Sequence, residues 1–104
     1  MADPVVTDNA DEHRYEIAVD GKVAGFIDYH DNRERRALNH TEIDPAYEGH
    51  GLASRIARAA LDDIRARGKV VLPYCPFVRS YIDKHRDEYL DLVPEADRDK
   101  FKLS

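Results

Sequence analysis

Apolar positions recur with two different periods along this chain. Tyr15, Ile17 and Val19 alternate with polar or small residues, Asp20-Gly21 interrupts them, and Val23 to Tyr29 resumes the apolar pattern. Asp-Gly between two alternating runs predicts an antiparallel hairpin. Asn32 marks a further turn, "ERRALNHTEID" reads as a third strand, and Pro45 ends it because proline cannot extend a ladder. From Gly51 the period lengthens. Leu52, Ile56, Ala60 and Ile64 recur every fourth residue, with Ala53, Ala57 and Leu61 beside them and Arg55, Arg58, Asp62 and Arg65 on the other side. That pattern predicts an amphipathic helix of about four turns, closed by Gly68. "KVVLPY" is a short buried strand. Pro76 opens a second helix through Tyr81 to His85, with "DEYL" extending or following it, and Pro94 opens a short charged C-terminal helix. The order β-β-β-α-β-α predicts a mixed sheet with helices on it, an α/β (α+β) domain.

Composition narrows the function classes. With 104 residues and 42% apolar content, the chain supports one modest core. We expect a single domain over residues 13–104 and a disordered acidic tail over residues 1–12. Of the net charge of −5, Asp3, Asp8, Asp11 and Glu12 contribute four negatives. The remainder is near neutral, which argues against a nucleic-acid binder. Arg33, Arg35 and Arg36 read as a solvated strand edge. No apolar run approaches the ~20 residues of a membrane span, and the acidic start lacks the order of a signal peptide. The lone Cys75 leaves no internal disulfide, so a cytoplasmic protein is expected. The histidine spacing gives no metal-ligand pattern, and no metal is expected.

The stretch "PAYEGHGLAS" places two of five glycines just before the helix. A helix start has unpaired N–H groups and partial positive charge, which suits a phosphate, and glycine permits close backbone approach. The same pair also serves a tight turn, and spacing alone does not choose between the two. Cys75 in "PYCPF" lies at the carboxyl end of a strand and the start of a helix. Ligand contacts are common there, although a lone cysteine also serves as a small buried apolar residue. His40 and Glu42, two residues apart on a strand, share one face and suit the deprotonation of an amine.

"EGHGLASRIARAAL" resembles motif A of the GNAT acyl-CoA N-acyltransferases, the pattern falling on Glu48, Gly49, His50, Gly51, Leu52 and Ala53. Glu48 stands where that family usually has Gln or Arg. Residues 39–85, with His-Thr-Glu, Gly-x-Gly-x-Ala and Pro-x-Cys in order, are similar to a small GNAT-like subfamily of about a hundred residues. The resemblance implies a GNAT-like, mainly antiparallel sheet with two main helices. It also implies acetyl-CoA as cosubstrate and an amine acceptor, either a small molecule or a protein. The coenzyme pyrophosphate would lie on the Gly49–Ala53 amides with Ser54 as a further donor, and the pantetheine arm along the strand at Ile43. Arg55 or Arg58 would reach a coenzyme phosphate, or else form a solvated helix face. Cys75 would sit near the acyl group, and Tyr81 near the coenzyme sulfur as a proton donor. Two routes follow: direct attack by the amine with His40 or Glu42 as base, or acyl transfer through Cys75 with His40 as its base. The competing class is a coenzyme-binding module acting with a protein partner.

Overall fold

The computed structural model describes residues 3–104. Five strands form one sheet in the order β1 (Val5–Asn9), β2 (Arg14–Val19), β3 (Lys22–Asn32), β4 (Arg35–Ile43) and β5 (Val70–Pro73). The first four pair antiparallel, and β5 runs parallel to β4. The parallel step is possible because helix α1 (Leu52–Ala66) crosses over between β4 and β5. Helix α2 (Pro76–Lys84) follows β5, and a single turn, α3 (Arg86–Tyr89), follows α2. The short C-terminal helix opened by Pro94 is a 3-10 turn over Glu95–Asp97.

All helices pack on one face of the sheet. Tyr15, Ile17 and Val19 of β2, Ile27 and Tyr29 of β3, Leu38 of β4 and Val71 of β5 meet Leu52, Ile56, Ala60, Leu61 and Ile64 of α1 and Val78 and Ile82 of α2. Period-two and period-3.6 patterns thus converge on one core. The opposite face carries Arg14, Glu16, Phe26, Asp28, His40 and Glu42, all half-buried or exposed. Among the described residues no helix is long and apolar enough to cross a membrane.

Two expectations are corrected. Residues 5–12 are not a disordered tail: Val5–Asn9 pair residue for residue with Arg14–Ala18, and a 3-10 turn over Ala10–Glu12 follows. Met1 and Ala2 lie outside the described residues. Arg36 is not on a solvated edge. Its guanidinium is buried, bonded to both carboxylate oxygens of Asp31 at 2.7 and 2.9 Å and to the Tyr15 hydroxyl at 2.8 Å. It also lies 3.9 Å over the Tyr29 ring. Asp8 of β1 joins this cluster, accepting from Tyr29 at 2.5 Å and Arg36 at 3.4 Å. The acidic residues of the N-terminal segment therefore include a partner for a buried cation, which is why β1 docks. Burial works to lower the Arg36 pKa, but its bonds to Asp31 and Tyr15 raise it overall. The Arg36 bond holds the Asp31 carboxyl below its ordinary value.

Candidate active site

The sheet opens where β4 and β5 part. Their pairing ends at Leu38 opposite Pro73, sealed by the Cys75 N–H donating to the Leu38 carbonyl at 2.8 Å. β4 continues to Ile43 while the chain beyond Pro73 turns into α2. The Asp44 N–H donates to Ala24 of β3 at 2.7 Å. Strand alternation then turns the backbone groups of Ile43 and Thr41 away from β3, toward the edge that β5 has left. The result is a slot with a free strand edge on one side.

The slot leads to the glycine loop. Gly49 and Gly51 adopt φ of +84° and +72°, a region that penalises any side chain. A Cβ at either would meet no atom within 4 Å, so both face open space. Gly51 caps α1 without a side-chain bond, and the first helical bond is from the Arg55 N–H to the Gly51 carbonyl. The amides of Leu52, Ala53 and Ser54 are thereby left at the open end of the helix dipole. A cleft of ≈ 350 Å³ is lined by Ile43, Tyr47, Glu48, Gly49, Gly51, Leu52, Ala53, Ser54 and Phe77. Seven of the residues expected to contact a coenzyme are brought together here. His50 projects from the loop and lines no part of the cleft. Tyr47 and Phe77 were missed. Phe77 reads as packing in the sequence but is 37% exposed at the cleft wall, and Tyr47 carries no sequence signal of its own.

The candidate chemical groups divide between the two faces of β4. Thr41 Oγ1 lies 3.1 Å from Cys75 Sγ, on the helix-covered face where Cys75 is buried. Successive strand residues point to opposite faces. His40 therefore lies on the open face, where its ring meets Phe26 edge-on at 6.2 Å. Glu42 pairs across from Phe26 on that same face and lines an outer groove of ≈ 510 Å³ with Arg14, Phe26, Asp44 and Ile43. Ile43 thus borders both cavities. The expectation that His40 serves as base for Cys75 is corrected by this arrangement, because the sheet stands between them and Thr41 is the neighbour of the thiol.

Two further candidates sit elsewhere. Tyr81 is buried beneath α1, stacked on His85 at 4.2 Å with the Arg58 guanidinium 5.8 Å from its ring, and does not line the cleft. Arg58 is held in a bidentate pair with Glu88 at 2.7 and 3.2 Å and also donates to the Tyr89 hydroxyl at 3.0 Å. That pairing holds the Glu88 carboxyl below its ordinary value. Arg58 is thus occupied in joining α1 to α3, whereas the Arg55 side chain has no hydrogen-bond partner among the described residues.

Comparison with known proteins places this geometry in context. A family model described as GCN5-related N-acetyl-transferase matches residues 14–92. No curated protein matches the chain. Among solved structures, it is similar to a ribosomal-protein-alanine N-acetyltransferase from Brucella melitensis biovar Abortus 2308, with a TM-score of 0.56 and 21% identity. That match covers 81% of this chain, which spans 62% of the length of the solved one.

Proposed function

Since the chain belongs to the GCN5-related N-acetyl-transferase family, we propose that it transfers an acetyl group from acetyl-CoA to an amine. The observation that carries this reading is the slot: β4 outruns β5 by the five residues from Asn39 to Ile43 and leads straight into the glycine loop. An extended pantetheine arm would pair with the free backbone groups of Thr41 and Ile43, as an added strand does. The pyrophosphate would rest on the amides from Gly49 to Ser54, where open N–H groups and the helix dipole favour an anion. Glu48 contributes its backbone, since a carboxylate does not assist a phosphate.

The thioester then lies in the slot, between His40 on the open face and Thr41 and Cys75 on the covered one. The amine enters from the open face, where Glu42 attracts its cationic form. His40, nearer the apex of the slot at Leu38, takes its proton. The neutral amine nitrogen bonds to the acetyl carbon, a backbone N–H stabilises the oxyanion, the carbon–sulfur bond breaks as the carbonyl re-forms, and the proton still carried by the nitrogen passes to the departing coenzyme thiolate. Direct transfer fits this division of faces better than an acyl-cysteine, because base and thiol do not meet.

A thermal-unfolding shift tests the coenzyme site. Acetyl-CoA and CoA at a hundred times their Kd should stabilise the fold by ~2.7 kcal/mol, and ATP should not. No shift at millimolar acetyl-CoA would refute the reading. A shift without turnover on any amine would favour the binding-module alternative.

A further inference from the structure

The open face holds a carboxylate with no assigned work. Asp28 Oδ1 is sealed from solvent and makes no hydrogen bond. Such an atom requires an explanation, because a buried polar oxygen left unpaired has given up its hydration with no bond in exchange. Asp28 sits in mid-sheet, directly across from Arg14 on β2 and from His40 on β4. Arg14 makes no bond to Asp28: its Nε donates to Glu16 at 2.7 Å and its guanidinium lies 4.7 Å over the Phe26 ring. His30, two residues along β3, stands ~7 Å away by strand rise. His40 is directly opposite, and side chains so placed have Cβ atoms about 4.5–5.5 Å apart, within reach of a carboxylate–imidazole bond. The register shifts at this point, since Asp28 faces His40 whereas Tyr29 faces Leu38, leaving Asn39 as a bulge. Bulges re-aim neighbouring side chains.

We infer that Asp28 is the positioning partner of His40: when the imidazole swings from its edge-on contact with Phe26, where it makes no bond to Asp28, the carboxylate accepts a ring N–H and so presents the other, unprotonated ring nitrogen to the acceptor amine. The inference rests on the transferase reading for the use of that nitrogen, but the pairing itself does not. When His40 takes the amine's proton, the imidazolium forms beside a carboxylate in place of bulk water. The other charged or titratable groups that β2, β3 and β4 place on this face are Arg14, Glu16, His30, Arg35 and Glu42; α1 and α2 pack on the other face.

The test is nitrogen NMR on the full chain with 15N-labelled histidine, the His40 signals assigned by His40→Gln. Native His40 should show one dominant tautomer. Asp28→Ala should give the mixture of a free imidazole, and Asp28→Asn, which keeps a carbonyl acceptor, should retain part of the preference. In turnover, Asp28→Ala should lower kcat at least about tenfold, the lower end of what removal of a histidine's hydrogen-bond partner costs, with KM for acetyl-CoA unchanged. A free-imidazole mixture in the native protein would overturn the pairing without any variant, so a failure of Asp28→Ala to fold leaves the question decidable. So would Asp28→Ala signals matching native ones. A lost tautomer preference with unchanged kcat would overturn the positioning role. A single tautomer in a protein that acetylates nothing would instead count against the transferase reading alone.

Discussion

Replacing Gly51 with alanine separates two roles that the glycine loop combines. At φ of +72° a Cβ is strained by the backbone alone, since no atom lies within 4 Å of it. The left-handed conformation costs about 1–2 kcal/mol. The reduced freedom of the unfolded chain offsets about 0.4–1 of that. Gly51→Ala should therefore destabilise the free protein by about 1 kcal/mol, lowering Tm by about 4–8 °C in a domain of this size. Gly68 is a matched control. It lies at the other end of α1, at φ of +69° and with equally open surroundings, but away from the cleft. Gly68→Ala should cause the same loss of Tm. The two diverge in ligand binding. If a pyrophosphate approaches the loop backbone, the alanine methyl at 51 obstructs it, and the acetyl-CoA Kd should rise at least about tenfold, or 1.4 kcal/mol. Gly68→Ala should leave Kd unchanged. Calorimetric titration and thermal unfolding on the same samples give both readouts. Equal Tm losses with an unaltered Kd for Gly51→Ala would refute the phosphate cradle and leave the glycines as turn residues.

Cys75→Ala should retain turnover, because the direct route forms no acyl-cysteine; loss of burst and steady-state acetylation together would refute that route. Arg36→Met should destabilise the fold by about 3 kcal/mol, measured by denaturant unfolding, because it removes the donor to Asp31 and to the buried Tyr15 hydroxyl and leaves Asp8 with Arg67 alone among the described cations, at 3.1 Å; a change below about 1 kcal/mol would show that the cluster contributes no more than a surface pair. Arg58→Ala should leave acetyl-CoA affinity unaltered in calorimetry, since Arg58 is bound to Glu88. With Asp31 below its ordinary pKa in the folded state, its contribution is present above the unfolded value and is lost as pH falls below about 4. Burial and the bond to Asp8 push Tyr29 up to about 12, so its contribution is present below the ordinary tyrosine value and lost as pH rises through about 12. Stability measured against pH should therefore fall at both ends, and Arg36→Met should flatten the acid limb.

The local patterns were legible without a structure. Asp20-Gly21 between alternating runs fixed the β2–β3 hairpin, and the apolar spacing from Leu52 to Ile64 fixed α1. The positions of Gly49 and Gly51 gave the helix start, because φ preference and helix period act over a few residues. Strand alternation also put His40 and Glu42 on one face. The sequence left open which face, and tertiary pairing decided it. Alternation is relative: it is anchored only when a core covers one side, and here the bulge at Asn39 shifts the register just before the site. The same pairing put Thr41, not His40, beside Cys75, and opened the slot by ending β5 at Pro73. Strand β1 and the burial of Arg36 were hidden for a related reason. An acidic segment and a basic cluster each look solvated alone, and only the assembled sheet brings Asp31, the Tyr15 hydroxyl and Asp8 around the Arg36 guanidinium so that its donors are satisfied when buried.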